Sequence, residues 1–268
     1  MPSSNPIFAR NRALNGRDPN APLMTKEQLE NLYAQPSAGP AQTGRMTYDD
    51  VMIKTGSLFA VLLAAAVVGW FVPALALPMA LVGFVLGLVN AFKREPSPAL
   101  IIIYAAAQGV FLGGISGIFE GMYSGIVLQA VIGTFSVFGV MLALFASGKI
   151  RVTPKFTKML LMAVIGYGVF CLVNLGVMLF NPDMSMFGMR GIEVDLPIIG
   201  RMPLGIVIGV VAVVLAAFCL VMDFDMIQKG VQNGIPRKYA WTCAFGLMVT
   251  LIWLYIEILR ILALFRGR

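Results

Sequence analysis

The sequence predicts an all-α integral membrane protein with seven transmembrane helices and a disordered N-terminal tail. Three observations carry that expectation. Of 268 residues, 59% are apolar and only 12% charged, with a mean hydropathy of +0.85; a soluble domain carries about 25% charged residues. The apolar residues gather into seven runs, each near the ~20 residues that cross about 30 Å of hydrocarbon, the first two being short. Basic residues, finally, concentrate in alternate connections between the runs.

Residues 1–45 form a separate compositional class, rich in Pro, Asn, Gly, Ser and Ala. They lack the continuous apolar core of a signal peptide, which predicts an uncleaved, mostly disordered cytoplasmic tail ahead of a membrane domain over 46–268. Thr47-Tyr48-Asp49-Asp50 has the form of a capping box, with acids in the first helical turn, where the dipole favours them. The apolar runs then cover 56–72 (stopped at Pro73), 75–92, 99–119, 125–146, 159–180, 204–222 and 241–264.

Positive charge orients these spans. In a seven-span arrangement 15 of the 20 Lys and Arg residues fall on the side of the N-terminal tail, among them Lys93, Arg94, Lys155, Lys158, Lys229, Arg237 and Lys238. Arg190, Arg201, Arg266 and Arg268 fall on the other side, and Arg260 lies inside the last span. The excess of positive charge in cytoplasmic loops places the N-terminus in the cytoplasm. A full seventh crossing leaves the C-terminus outside; a re-entrant last helix is the alternative, because the tail ends in arginines. The same basic excess, 20 Lys and Arg against 13 Asp and Glu, reads here as orientation and contact with anionic lipid rather than as nucleic-acid binding.

Few residues are available for chemistry. The chain contains no His, which removes zinc sites of the HExxH kind and histidine-based triads. No phosphate-binding Walker loop and no Gly-x-Ser-x-Gly occur, so an enzyme is not expected. Cys171, Cys219 and Cys243 sit in separate apolar runs without metal-binding spacing and read as reduced packing residues. Along the third run Gly109, Gly113, Gly117 and Gly121 recur every four residues. That periodicity makes one smooth face for close helix packing, or a groove along which a helix slides. Gln108 and Asn174 read as hydrogen-bonding glue between helices before they read as ligands.

The acids within apolar runs stand out. A carboxylate in hydrocarbon costs about 2.5–3.5 kcal/mol on insertion scales, so such residues mark functional sites. Asp223 and Asp225 are two residues apart and point about 200° from each other on a helix. Asp223, the deeper, is expected to face the bundle and Asp225 to sit as a solvated residue near the helix end. Glu257 and Arg260 are i, i+3 partners and read either as a satisfied internal pair or as part of a site.

Certain stretches resemble the Bax inhibitor-1 family, in its bacterial YccA-like branch. They are Pro98-Ala-Leu-Ile-Ile-Ile-Tyr-Ala-Ala-Ala-Gln-Gly-Val-Phe-Leu-Gly113, Leu220-Val-Met-Asp223-Phe and Leu254-Tyr-Ile-Glu257-Ile-Leu-Arg260-Ile-Leu, with Arg45-Met-Thr-Tyr-Asp-Asp-Val51 ahead of them. The resemblance implies six helices surrounding a central seventh, and a pH-sensitive calcium leak of the bacterial plasma membrane. It also implies an acidic pair, one residue on each of the last two spans, that shares a proton and governs opening. By position Asp223 takes the first role and Glu257 the second, and Lys93 or Arg94 is a candidate latch toward Asp223.

Two departures accompany this resemblance: the second acid is Glu rather than Asp, and it lies about ten residues further along than the family leads one to expect. Measured from a turn at 234–236, the two acids differ in height by on the order of 13 Å. Either the seventh helix begins outside the bilayer or the acids do not touch.

Calcium prefers oxygen ligands, and Asp223 and Glu257, with help from Asp225, Gln108 or Asn174, are the candidates for a weak, transient site. No other cofactor is implied. The expected partners are the lipid bilayer, calcium ions and a membrane protein. The competing reading is a non-conducting regulator that binds a membrane protease or a stress-response partner. A proton-coupled transporter is a third possibility, but no inverted repeat or pair of broken helices supports it.

Overall fold

A computed structural model describes residues 43–148, 152–181, 187–196 and 200–267. The tail expected over 1–45 therefore lies outside the described residues as far as position 42. Seven helices account for most of the remainder: α1 (Tyr48–Phe71), α2 (Ala76–Phe92), α3 (Pro98–Met122), α4 (Ile126–Ala146), α5 (Pro154–Phe180), α6 (Leu204–Gln232) and α7 (Ala240–Arg266). All seven are long and apolar enough to span a membrane, with the short turn Pro73–Leu75 extending α2 and the turn Arg237–Tyr239 extending α7. The chain is a multi-pass membrane protein.

Helix starts follow from local chemistry. Thr47 caps α1 by accepting from the Asp50 amide at 3.2 Å, while Asp50 accepts in return from the Thr47 amide at 3.3 Å, so the capping box forms. Pro98 and Pro154 open α3 and α5, where a missing N–H costs nothing. Glu120 caps α4 from the preceding helix, accepting from the amides of Gly125 at 2.5 Å and Val127 at 3.0 Å. Several helices run beyond the apolar windows of the sequence. The helix α6 continues seven residues past Asp225 to Gln232, because Met, Gln and Lys sustain a helix as well as apolar residues do. Asp225 is consequently not a helix-end residue.

The glycine stripe packs α3 against α1. A Cβ on Gly109 or Gly113 would overlap the backbone carbonyls of Leu62 or Ala66, and Gly69 of α1 approaches Val110 just as closely. A Cβ on Gly117 would stand 3.3 Å from the Trp70 carbonyl oxygen, whereas one on Gly121 would meet nothing within 4 Å. Gly113→Val is expected to force the two helices apart and destabilise the fold by about 1–3 kcal/mol, read as a lowered midpoint of thermal unfolding in detergent; an unchanged midpoint would show that the helices do not need this approach.

The centre of the bundle is shared. Both α3 and α7 bury more than half of their apolar window, whereas α5 buries only Leu160 and Asn174. Around α7 lie α1, α3, α4 and α6, with α5 meeting it through Tyr167 on Glu257 and Trp253, and α2 packs on α3. Five helices thus contact α7, while α2 reaches the bundle through α3.

Each end of the bundle is tied together. At the end where α1 begins, the Met46 amide donates to Ile235 at 2.8 Å, Arg237 pairs with Asp50 at 2.6 Å, and Lys238 reaches Glu95 at 2.9 Å. At the opposite end, Arg266 of α7 donates to the Ser124 carbonyl at 2.6 Å and to Gln129 at 3.0 Å. The last helix therefore runs from one end of the bundle to the other. A small antiparallel hairpin, β1 (Glu193–Leu196) with β2 (Gly200–Pro203), joins α5 to α6 at that end and was not expected in an all-α chain.

Candidate functional site

Asp223 faces α7. The Thr250 hydroxyl donates to its Oδ2 at 2.7 Å and shares its proton with the Gly246 carbonyl at 3.2 Å, one turn earlier. The carboxylate also lies against Gly246, where a Cβ would stand 3.5 Å from Oδ1, in ordinary van der Waals contact. The thiols of Cys219 and Cys243 lie within electrostatic reach of it. Among the described residues no Lys or Arg pairs with Asp223. Thr250→Val is expected to leave a carboxylate oxygen without its donor and to destabilise the protein by about 1–3 kcal/mol, measurable as a fall in unfolding midpoint that Thr250→Ser largely avoids.

Glu257 occupies a different environment. Its Oε1 accepts from the Tyr167 hydroxyl of α5 and from Arg260 Nη1 at 2.6 Å, and its Oε2 accepts from Arg190 Nη1 at 3.1 Å. Arg190 is 3% exposed and Glu257 2%, so this ion pair is sealed from solvent. Arg190 also donates to the Tyr167 hydroxyl at 2.7 Å and the Cys171 sulfur at 3.4 Å, with its guanidinium against the rings of Tyr167 and Phe170. Burial alone would lower the Arg190 pKa, but the Glu257 carboxylate and then the Tyr167 hydroxyl outweigh that and hold it above its ordinary value.

The turn that delivers Arg190 is built for insertion. Asn174 of α5 accepts from the Met189 amide at 2.8 Å and donates to the Phe187 carbonyl at 3.4 Å. Gly188 adopts a left-handed φ of +60°, and Gly205 of α6 gives space to the Arg190 backbone and Cβ. Asn174 thus positions a loop, as glue rather than as an ion ligand.

The profile of the Bax inhibitor 1 like family matches residues 5–267, nearly the whole chain. The chain belongs to this family. No curated protein matches it. In this Bax inhibitor 1-like protein the two acids of the expected pair do not meet. Asp223 lies opposite Thr250, and Glu257 is seven residues further along α7, about 10 Å at 1.5 Å per residue. The spacing problem in the sequence resolves as a true separation: a proton shared between these two carboxylates, or one calcium ion held by both, has no geometric basis in this conformation. Among the described residues no group of three or more His, Cys, Asp or Glu is arranged to hold a metal ion.

The remaining candidates also disperse. Asp225 pairs with Lys229 at 2.5 Å, one turn along the same helix and turned away from Asp223. Lys93 and Arg94 are exposed at the end of α2, and among the described residues neither forms an ion pair, so no latch to Asp223 is made. Gln108 is buried against Gly83 of α2, its Oε1 without a hydrogen-bond partner among the described residues. All three cysteines are free and half-buried. Two residues that sequence reasoning missed carry most of the geometry. Thr250 has one legible signal, its place two turns before Glu257. Arg190 has only its flanking glycines.

Proposed function

We propose that this protein is a pH-sensitive calcium leak of the bacterial plasma membrane, in which protonation of Asp223 governs passage. One observation carries the reading: among the described residues Asp223 lacks a cationic partner within the apolar bundle and relies on the Thr250 hydroxyl. A carboxylate held this way exchanges charge for a proton at the contact between α6 and α7, and that change is felt by both helices. Glu257, neutralised by Arg190 and Arg260, acts instead as a fixed anchor that holds α5, α7 and the Arg190 turn together. The family resemblance supports calcium as the ion and kinship with the YccA-like branch in this proposal. The charge asymmetry of the loops supplies a cytoplasmic N-terminus.

The second reading, a non-conducting regulator of a membrane protease or stress-response partner, is favoured by the charged clasp of Asp50, Arg237, Glu95 and Lys238 around the start of α1. Full-length protein reconstituted into liposomes loaded with a calcium dye separates the two. A calcium flux that depends on pH supports the leak. Absence of flux at every pH, from protein that is folded and inserted, overturns it in favour of the regulator.

A further inference from the structure

At the end of the bundle away from the start of α1, two guanidinium groups meet one carboxylate. Arg190 and Arg260 pair with Glu257 at 3.1 and 2.6 Å, so the cluster holds one positive charge in excess among the described residues. Glu257 already accepts from three donors. Of the five guanidinium N–H groups that an arginine presents, Arg260 uses only Nη1 among the described residues. Arg260 is 28% exposed and six residues from the end of α7, about 9 Å by helical rise. An unmatched cation at that depth is costly unless an anion joins it.

Space for an anion lies beside it. A cavity of about 230 Å³ has Arg190, Arg260 and Asn174 as polar lining and Leu175, Met178 and Phe187 as apolar lining. It is smaller than the roughly 300–1,000 Å³ of a pocket that encloses a drug-sized ligand, so it takes a headgroup and not a whole lipid. Leu175 is 53% exposed on the outer face of α5 and leaves a route from the cavity to the lipid. Arginine's planar fork matches carboxylate and phosphate oxygens in pairs.

We propose that this cavity binds the oxyanion of an anionic amphiphile, a phosphate or carboxylate gripped by Arg260 with its apolar chain passing over Leu175 into the bilayer. The site is independent of whether the protein conducts calcium. The test uses delipidated full-length protein in neutral detergent, with thermal unfolding followed while lipid is added. Phosphatidylglycerol, or dodecanoate below its micellar range, is expected to raise the melting temperature saturably, by about 5 °C near saturation. Phosphatidylcholine and inorganic phosphate are expected to leave it unchanged.

Arg260→Gln is expected to abolish the rise. Leu175→Trp, which fills the mouth and keeps the ion pairs, is expected to abolish it too and decides the matter if Arg260→Gln does not fold. An equal rise in wild type and in Leu175→Trp overturns the proposal, as does no rise with either amphiphile. A rise produced by inorganic phosphate alone reassigns the site to a free anion and equally overturns the amphiphile.

Discussion

Glu257→Ala is expected to destabilise the protein by about 3–5 kcal/mol, the range found when one member of a buried ion pair is removed. The cost comes from what remains. Arg190, only 3% exposed and wedged between Tyr167, Phe170 and Cys171, would keep its charge and lose its counterion. Tyr167 would lose the acceptor for its hydroxyl at the same time. Arg190 is held above its already high ordinary value, against burial and by Glu257 first, so in the variant it keeps its charge at every accessible pH. Arg190→Met alone should cost less, since Glu257 keeps Arg260 and Tyr167. The double variant Arg190→Met with Glu257→Leu should recover much of the loss, because an apolar pair removes both desolvated charges. Thermal unfolding of the four proteins in one detergent makes the comparison, and a melting temperature for Glu257→Ala within a degree of wild type would sink it.

Asp223→Asn is expected to flatten the pH dependence of calcium flux. The amide keeps the shape of the carboxylate and an oxygen to accept from Thr250, but its charge no longer changes with pH. A unit charge met at about 4 Å is worth about 4 kcal/mol at an effective dielectric of about 20, and about 1.4 kcal/mol suffices for a tenfold change in rate. A wild-type flux that varies tenfold or more between about pH 6 and 8 should therefore vary less than about twofold in the variant. Glu257→Gln, measured in parallel, should retain the wild-type pH profile, since its carboxylate is committed to Arg190 and Arg260. The reverse pattern, with a flat Glu257→Gln and a normal Asp223→Asn, would move the sensor to Glu257, two turns further along α7.

Local features were legible before the fold was known. Seven continuous apolar runs map onto seven helices because a segment that must satisfy its backbone inside hydrocarbon has little choice but to be helical. Thr47 and Asp50 announce the start of α1 because both sides of a capping box lie within four residues. Gly109, Gly113 and Gly117 announce a close contact, though not that Leu62, Ala66 and Trp70 would supply it. Helix ends were less legible: α6 runs on through Asp225 to Gln232, where hydropathy falls but helix propensity does not.

By itself the sequence determined the class of protein, the number of crossings and the rarity of the acids, all of which depend on composition and on residues near each other in the chain. Partners were decided only in three dimensions. Glu257 looked like a candidate for Asp223, yet its counterion Arg190 is 67 residues away in sequence and arrives through a turn shaped by Asn174, Gly188 and Gly205. Asp223 instead meets Thr250, whose one mark in the sequence is its place two turns before Glu257. The physical reason is the rise of the helix: seven residues along α7 shift a side chain by about 10 Å, farther than any carboxylate reaches, so the relative height of α6 and α7 decides which groups can share a proton.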